Sequence, residues 1–184
     1  MGNRNGSISL EILVAALIVS FFAFFGNIRI KNARTVGQVN NAKILIADTY
    51  KKYATISFDK NVIHRVIIDY NIKIIEIFDN IDKKIEEIVL PKEIKYATIY
   101  GGIIQDKMNA KITEQGNITP IFSIYIFDNK DIAKYRISLY GFDTLKHLRI
   151  NIYKNKSDKT ANYANIIKFH DSFTEESNKL WEKE

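Results

Sequence analysis

The chain has 184 residues, enough for one domain and an additional helical segment but not for two full domains. Its 27 basic and 21 acidic residues leave a formal charge of +6, and they form no long single-sign run, so an Ile-, Lys- and Asn-heavy composition accounts for the excess better than a dedicated polyanion surface. No cysteine is present, which excludes disulfides, thiol catalysis and cysteine-ligated metal.

Charge is unevenly distributed along the chain. Ile12 to Phe25 contains no charged residue, whereas charges are scattered freely from Arg29 onward. From Ser7 to Ile28 the single charge is Glu11. Twenty-two helical residues at 1.5 Å each reach about 33 Å, sufficient for a bilayer core. A cleaved secretory signal needs small residues at the −3 and −1 positions, but the candidate ends Ala23 and Gly26 have Phe21 and Phe24 at −3. The apolar block is therefore expected to stay in the mature protein. Within such a block an acidic side chain costs about 2.5–3.5 kcal/mol on insertion scales, so Glu11 calls either for a partner or for a place near the headgroups.

Gly6-Ser-Ile-Ser-Leu-Glu11, preceded by a short polar leader with Arg4 and followed by the apolar run, resembles the class III signal of type IV prepilins and type II secretion pseudopilins. The resemblance implies cleavage by a prepilin peptidase between Gly6 and Ser7, with Ser7 as the new terminus and the site of any N-methylation. Glu11 then stands fifth in the mature chain, as an assembly residue. It also implies a pilin-like α+β fold: a long N-terminal helix, membrane-embedded in its first half, packed on an antiparallel β-sheet head. The expected partners are the prepilin peptidase, other pilin or pseudopilin subunits, an inner-membrane assembly platform and the lipid bilayer. The expected location is the inner membrane, single-pass, with the head outside the cytoplasm and the subunit assembled into a filament. Arg29, Lys31 and Arg34 follow the apolar run, and loop charge by itself would give the opposite orientation. Export of the head rests on the resemblance.

Beyond the apolar block, Val36, Val39, Ala42, Ile46, Tyr50 and Tyr53 recur at intervals of three or four, one face of a helix. With no proline from Ser7 to Ala54, one helix of about 70 Å is expected there. From Thr55 the period changes to two. Strands are expected over Val62–Asp69, Ile72–Phe78, Ile85–Leu90, Lys95–Tyr100, Ile121–Phe127, Lys134–Tyr140, His147–Tyr153 and Ala164–Phe169, with tight turns at Tyr70-Asn71, Asp128-Asn129 and Gly141-Phe142. Pro91 and Pro120 fall at strand borders, where no ladder bond is lost. The order of elements from Leu90-Pro91 through Lys111–Gly116 to Leu148–Tyr153 is similar to that of the H-type pseudopilins and related minor pilins. The resulting organisation is a leader (1–6), a membrane half (7–28) and an amphipathic half (29–54) of the helix, a β-rich head (55–153) and a tail (154–184). In the tail Phe173, Leu180 and Trp181 are expected to dock a final helix, beside a docked strand.

No residue pattern calls for catalysis or a cofactor. His64, His147 and His170 lack zinc-ligand spacing, and no nucleophile elbow or phosphate loop occurs. Asp128-Asn129-Lys130-Asp131 offers oxygens, but without the glycine and distal glutamate of a calcium loop it reads as a hairpin turn. Tyr125, Phe127, Tyr135 and Tyr140 lie near Lys and Arg, a mixture that can bind single-stranded nucleic acid. Their strand period reads instead as core and cross-strand pairs. The function implied is a non-catalytic minor pilin or pseudopilin subunit, with a major pilin or a non-polymerising anchored binding domain as the alternatives.

Overall fold

A computed structural model describes residues 4–141, 148–156, 161–170 and 179–184, with the side chains of residues 4–11 outside the description. Helix α1 spans Arg4–Lys60. The chain divides into two units, Met1–Gly37 and Gln38–Glu184, and each is described by itself. In the first, the described residues form the amino-terminal part of α1.

In the second unit, the remainder of α1 is followed, among the described residues, by eleven strands in two antiparallel sheets. The first sheet has the order β3-β2-β1-β6-β7, with β1 His64–Asp69, β2 Ile74–Phe78, β3 Lys84–Val89, β6 Lys107–Ile112 and β7 Ile118–Thr119. The second has the order β11-β10-β9-β8-β4-β5, with β4 Lys95–Tyr100, β5 Ile103–Gln105, β8 Phe122–Phe127, β9 Ala133–Tyr140, β10 Arg149–Asn155 and β11 Trp181–Lys183. The fold is α+β, a helix packed on antiparallel sheet.

From Val39 onward the helical stripe seen in the sequence becomes the centre of the core, whereas its first member, Val36, is exposed. Val39, Ala42, Ile46, Tyr50 and Tyr53 are buried with Val66, Ile68, Ile75 and Ile77 of the first sheet and Ile124, Ile126, Ile137 and Leu139 of the second. Spacing of three and four places these helix side chains on one face. Polar contacts at the rim hold the same face: Lys52 reaches Glu86 of β3 at 2.6 Å, and Lys43 reaches Glu184 beside β11 at 2.7 Å. Tyr135 donates to Asn40 at 3.0 Å.

Strand β8, Phe-Ser-Ile-Tyr-Ile-Phe, is buried along its whole length. Period two sends Phe122, Ile124 and Ile126 toward α1 and Tyr125 and Phe127 to the other side. There a second apolar cluster forms with Ala97, Ile99, Ala161, Ile166, Leu180 and Trp181. Residues beyond β10 thus cover the outer face of the second sheet, which is why β8 reads as a continuous apolar run rather than an alternation.

Several element boundaries differ from the sequence expectation. The helix continues six residues past Ala54, to Lys60. Asn61, at φ 53°, closes it: its amide bonds the Phe58 carbonyl at 3.3 Å and the Val62 amide bonds the Ser57 carbonyl at 3.0 Å. This pairing is a Schellman motif with Asn in the left-handed position. Strands β5, β6 and β7 were not expected. In β6 the inward positions Met108, Ala110 and Ile112 alternate with Lys107, Asn109 and Lys111, so alanine weakens the apolar signal. The strand expected over Ala164–Phe169 is instead a 3₁₀ turn, Ile166–Phe169. Its entry is set by Asn162 and Asn165, whose amide oxygens accept from each other's backbone N–H at 3.1 and 2.8 Å, so that Ile166 turns inward while Ile167 stays exposed. Lys179 and Leu180 are helical, and Trp181 follows them in β11, paired with β10 at Asn155. Phe173 lies outside the described residues, as does Phe142 of the expected Gly141 turn. Gly141 itself is required by crowding, since a Cβ there would stand 2.3 Å from the Ile118 carbonyl oxygen.

Two groups in this core give measurable consequences. The Tyr50 hydroxyl is fully buried with no hydrogen-bond partner. Tyr50→Phe should therefore keep or raise stability, by about 1 kcal/mol. Urea unfolding of the detergent-solubilised chain, followed through the single tryptophan, Trp181, measures this; a clear loss of stability would contradict the packing. His64 is buried, 2.7 Å from the Ser57 hydroxyl at the end of α1 and edge-on to Tyr53. Burial pushes the imidazole pKa below its ordinary value, with Asp79 opposing and Lys60 reinforcing the shift. The unfolded chain then binds a proton that the folded one refuses. The stability that His64 contributes is complete above about pH 6.5 and falls as pH drops below it. His64→Gln should flatten the urea midpoint against pH between 7.5 and 5; parallel curves for the two proteins would refute this.

Candidate functional surface on the amino-terminal helix

Gly6, Ser7 and Glu11 all fall within α1, near its start at Arg4. Their side chains lie outside the described residues, so no contact is assigned to them. Immediately after Glu11 the described surface begins, and it is apolar. Ile12, Leu13, Val14, Leu17, Ile18, Val19, Phe21, Phe22, Phe24 and Phe25 are each exposed. At 100° per residue these positions point in all directions around the axis, so the helix has no polar face here. An 18-residue window of α1 reaches a mean hydropathy of 2.0, with none of it buried inside the chain. The rings of Phe21 and Phe25, one turn apart, lie 4.4 Å between centroids at a 49° tilt, and both side chains stay exposed.

The energetics follow from area. Each large apolar side chain yields about 1.5–3 kcal/mol on burial, so the run as a whole carries on the order of 20 kcal/mol of burial free energy that the chain alone leaves unrealised. Continuing helices that are apolar all round belong in a large core or a membrane. The helix is long and apolar enough to cross a bilayer, and among the described residues none of this window is buried.

Elsewhere the structure separates the remaining candidates. His64 is a core residue beside Ser57, and His170 shares a hydrogen bond with the Tyr125 hydroxyl at 2.8 Å; His147 lies outside the described residues. Asp128–Asp131 is the β8–β9 turn. Its Asp128 Oδ1 accepts the amides of Lys130 and Ile132, each at 2.9 Å, and Asp131 pairs with Lys95 at 2.9 Å. Asp128 thus orients the turn backbone, while Asp131 is engaged by a lysine. Tyr125, Phe127 and Tyr135 are buried, so three of the four aromatics weighed for nucleic-acid stacking are core. Sequence reasoning missed Arg136, which β9 carries into the protein interior with 6% exposure. No local signal marks it, since Lys134 two residues earlier and Ser138 two residues later give the same strand face a solvated pattern.

No family model matches the chain, and no curated protein matches it. Among solved structures it is similar to the minor pseudopilin EpsH from the Type 2 Secretion System of Vibrio cholerae, at 13% identity and a TM-score of 0.43, over 59% of this chain and 94% of that one.

Proposed function

We propose that the chain is a non-catalytic subunit, of the minor pilin or pseudopilin kind, in a type IV pilus-like or type II secretion-like filament. The observation that carries the reading is the uncovered apolar run of α1 from Ile12 to Phe25, set directly behind Gly6-Ser7 and Glu11. Residues 1–6 act as the leader that a prepilin peptidase removes, leaving Ser7 as the terminus and as the site of any N-methylation. Residues 7–28 then hold the subunit in the cytoplasmic membrane, with the β-rich head on the outer side. An assembly platform and neighbouring subunits receive it into the filament.

Glu11 gives this assembly its register. Before incorporation its carboxylate sits near the cytoplasmic interface, where water or the chain's own α-amine satisfies it. In the filament it enters a bundle of apolar helices, where an unpaired charge is strongly unfavourable. The Ser7 ammonium of a neighbouring subunit is a partner at matching depth. Only one axial offset between adjacent helices brings the two together, so the pair fixes stagger while apolar contact supplies the attraction.

The test compares Glu11→Leu with the natural chain in a host that has an active prepilin peptidase. Intact mass should show loss of Met1–Gly6 from both. Both should also partition to the membrane, since leucine makes the helix more apolar. The variant should co-purify with sheared filaments at least tenfold less. An unprocessed natural chain contradicts the peptidase step, and undiminished incorporation of a processed variant contradicts the pairing.

A further inference from the structure

The outer face of the second sheet is divided. At one end it is apolar, packed under Ile166, Leu180 and Trp181. At the other end it is polar, with Ser123, Arg136, Ser138 and Asn151 all buried. A cavity of about 510 Å³ opens over part of this polar end, reached by Ser123, Arg136 and Tyr140 and walled by Ile99, Ile121 and Ile167. The Gly101-Gly102 turn, both residues at positive φ, forms its lip without side chains that would fill it.

Arg136 is the only buried Lys, Arg, Asp or Glu among the described residues. Its Nε donates to the Ser138 hydroxyl at 3.0 Å, and that hydroxyl shares a further hydrogen bond with Ser123 at 2.9 Å. The cross-strand neighbours on either side are Tyr125 and Tyr153, and the guanidinium lies 5.3 Å from the Tyr153 ring centroid. Among the described residues no carboxylate forms an ion pair with it. A guanidinium does not lose its proton, so burial cannot be relieved by neutralisation. A charge held out of water without a counter-ion is strongly unfavourable, and its planar fork of donors matches a carboxylate.

We propose that this cavity binds a carboxylate carried on an apolar body. The guanidinium fork takes the carboxylate, and Ile99, Ile121 and Ile167 take the rest. Arg136 is the one permanent cation among the described lining residues, which suits a single negative charge better than a phosphate dianion. A free carboxylic acid and the C-terminus of a peptide both present this chemistry. The inference is independent of the filament reading, because it uses only the head.

Calorimetric titration of the full chain in nanodiscs at pH 7, with empty nanodiscs as blank, tests it. The probes are 4-methylpentanoate, its amide, and acetyl-Gly-Gly-Leu with a free or an amidated C-terminus. At least one acid should bind saturably, tenfold or more tighter than its amide, and the tighter acid identifies the source. Arg136→Met, an apolar replacement of similar length, should lose at least tenfold in affinity for that acid while keeping the Trp181 emission of the natural chain. If that variant does not fold, the comparison of acid with amide decides alone. Absence of binding by both acids, equal binding of acid and amide, or undiminished binding by a folded Arg136→Met protein overturns the proposal.

Discussion

A helix whose side chains are apolar in every direction cannot rest in water, and among the described residues Ile12 to Phe25 are exposed. This single constraint orders the rest. Hydrophobic free energy is proportional to area removed from water, so the run must find lipid or other helices outside the chain. The same α1 changes character farther along, where Val39, Ile46 and Tyr50 are fully packed against sheet. One helix thus presents two kinds of surface, and the switch is written only in which faces are apolar.

The head meets its own packing requirement in layers. Its first core lies between α1 and both sheets, and its second lies over the far side of β4, β8 and β9. A sheet buried on both faces needs polar atoms to be paired internally. Ser123 with Ser138, and Tyr70 with Thr98 at 2.7 Å, do this by cross-strand and cross-layer hydrogen bonds. Arg136 stands apart because the described residues give its charge no counter-ion. The anchor and the head therefore pose the same kind of question at different scales: each leaves a surface whose natural partner is not supplied by the described chain.

How much of this was legible in the sequence depends on how local the signal is. The helix was legible because an unbroken stretch without proline combines with spacing of three and four from Val36 to Tyr53. Its end was not, because Thr55-Ile-Ser-Phe58 carries strand-like residues while the stop is made by Asn61 in the left-handed conformation. Strands β1, β2, β4, β8 and β9 were visible from alternation and β-branched residues. Strand β6 escaped because its inward positions include Ala110, and its burial is decided by β1 beside it. The tail misled for a related reason: Ile166-Ile167 has strand composition, but the Asn162–Asn165 bonds turn the backbone first. For the candidate site, the spacing from Gly6 to Glu11 was visible as a motif, whereas the exposure of the apolar run is a property of the folded chain. Arg136 was invisible because its isolation is a property of three adjacent strands.

The proposed function requires that residues 12–28 and the head occupy different solvents, with the head outside the cytoplasm. The chain lacks cysteine, so single replacements report cleanly. Leu17→Cys samples the apolar run, and Lys130→Cys samples the exposed β8–β9 turn. Spheroplasts carrying either variant are treated with a membrane-impermeant maleimide before and after dissolving the membrane in denaturant. The account predicts that position 130 reacts in intact spheroplasts and position 17 only after denaturation. Labelling of position 17 in intact spheroplasts at the rate of position 130, or labelling of position 130 only after lysis, would contradict it.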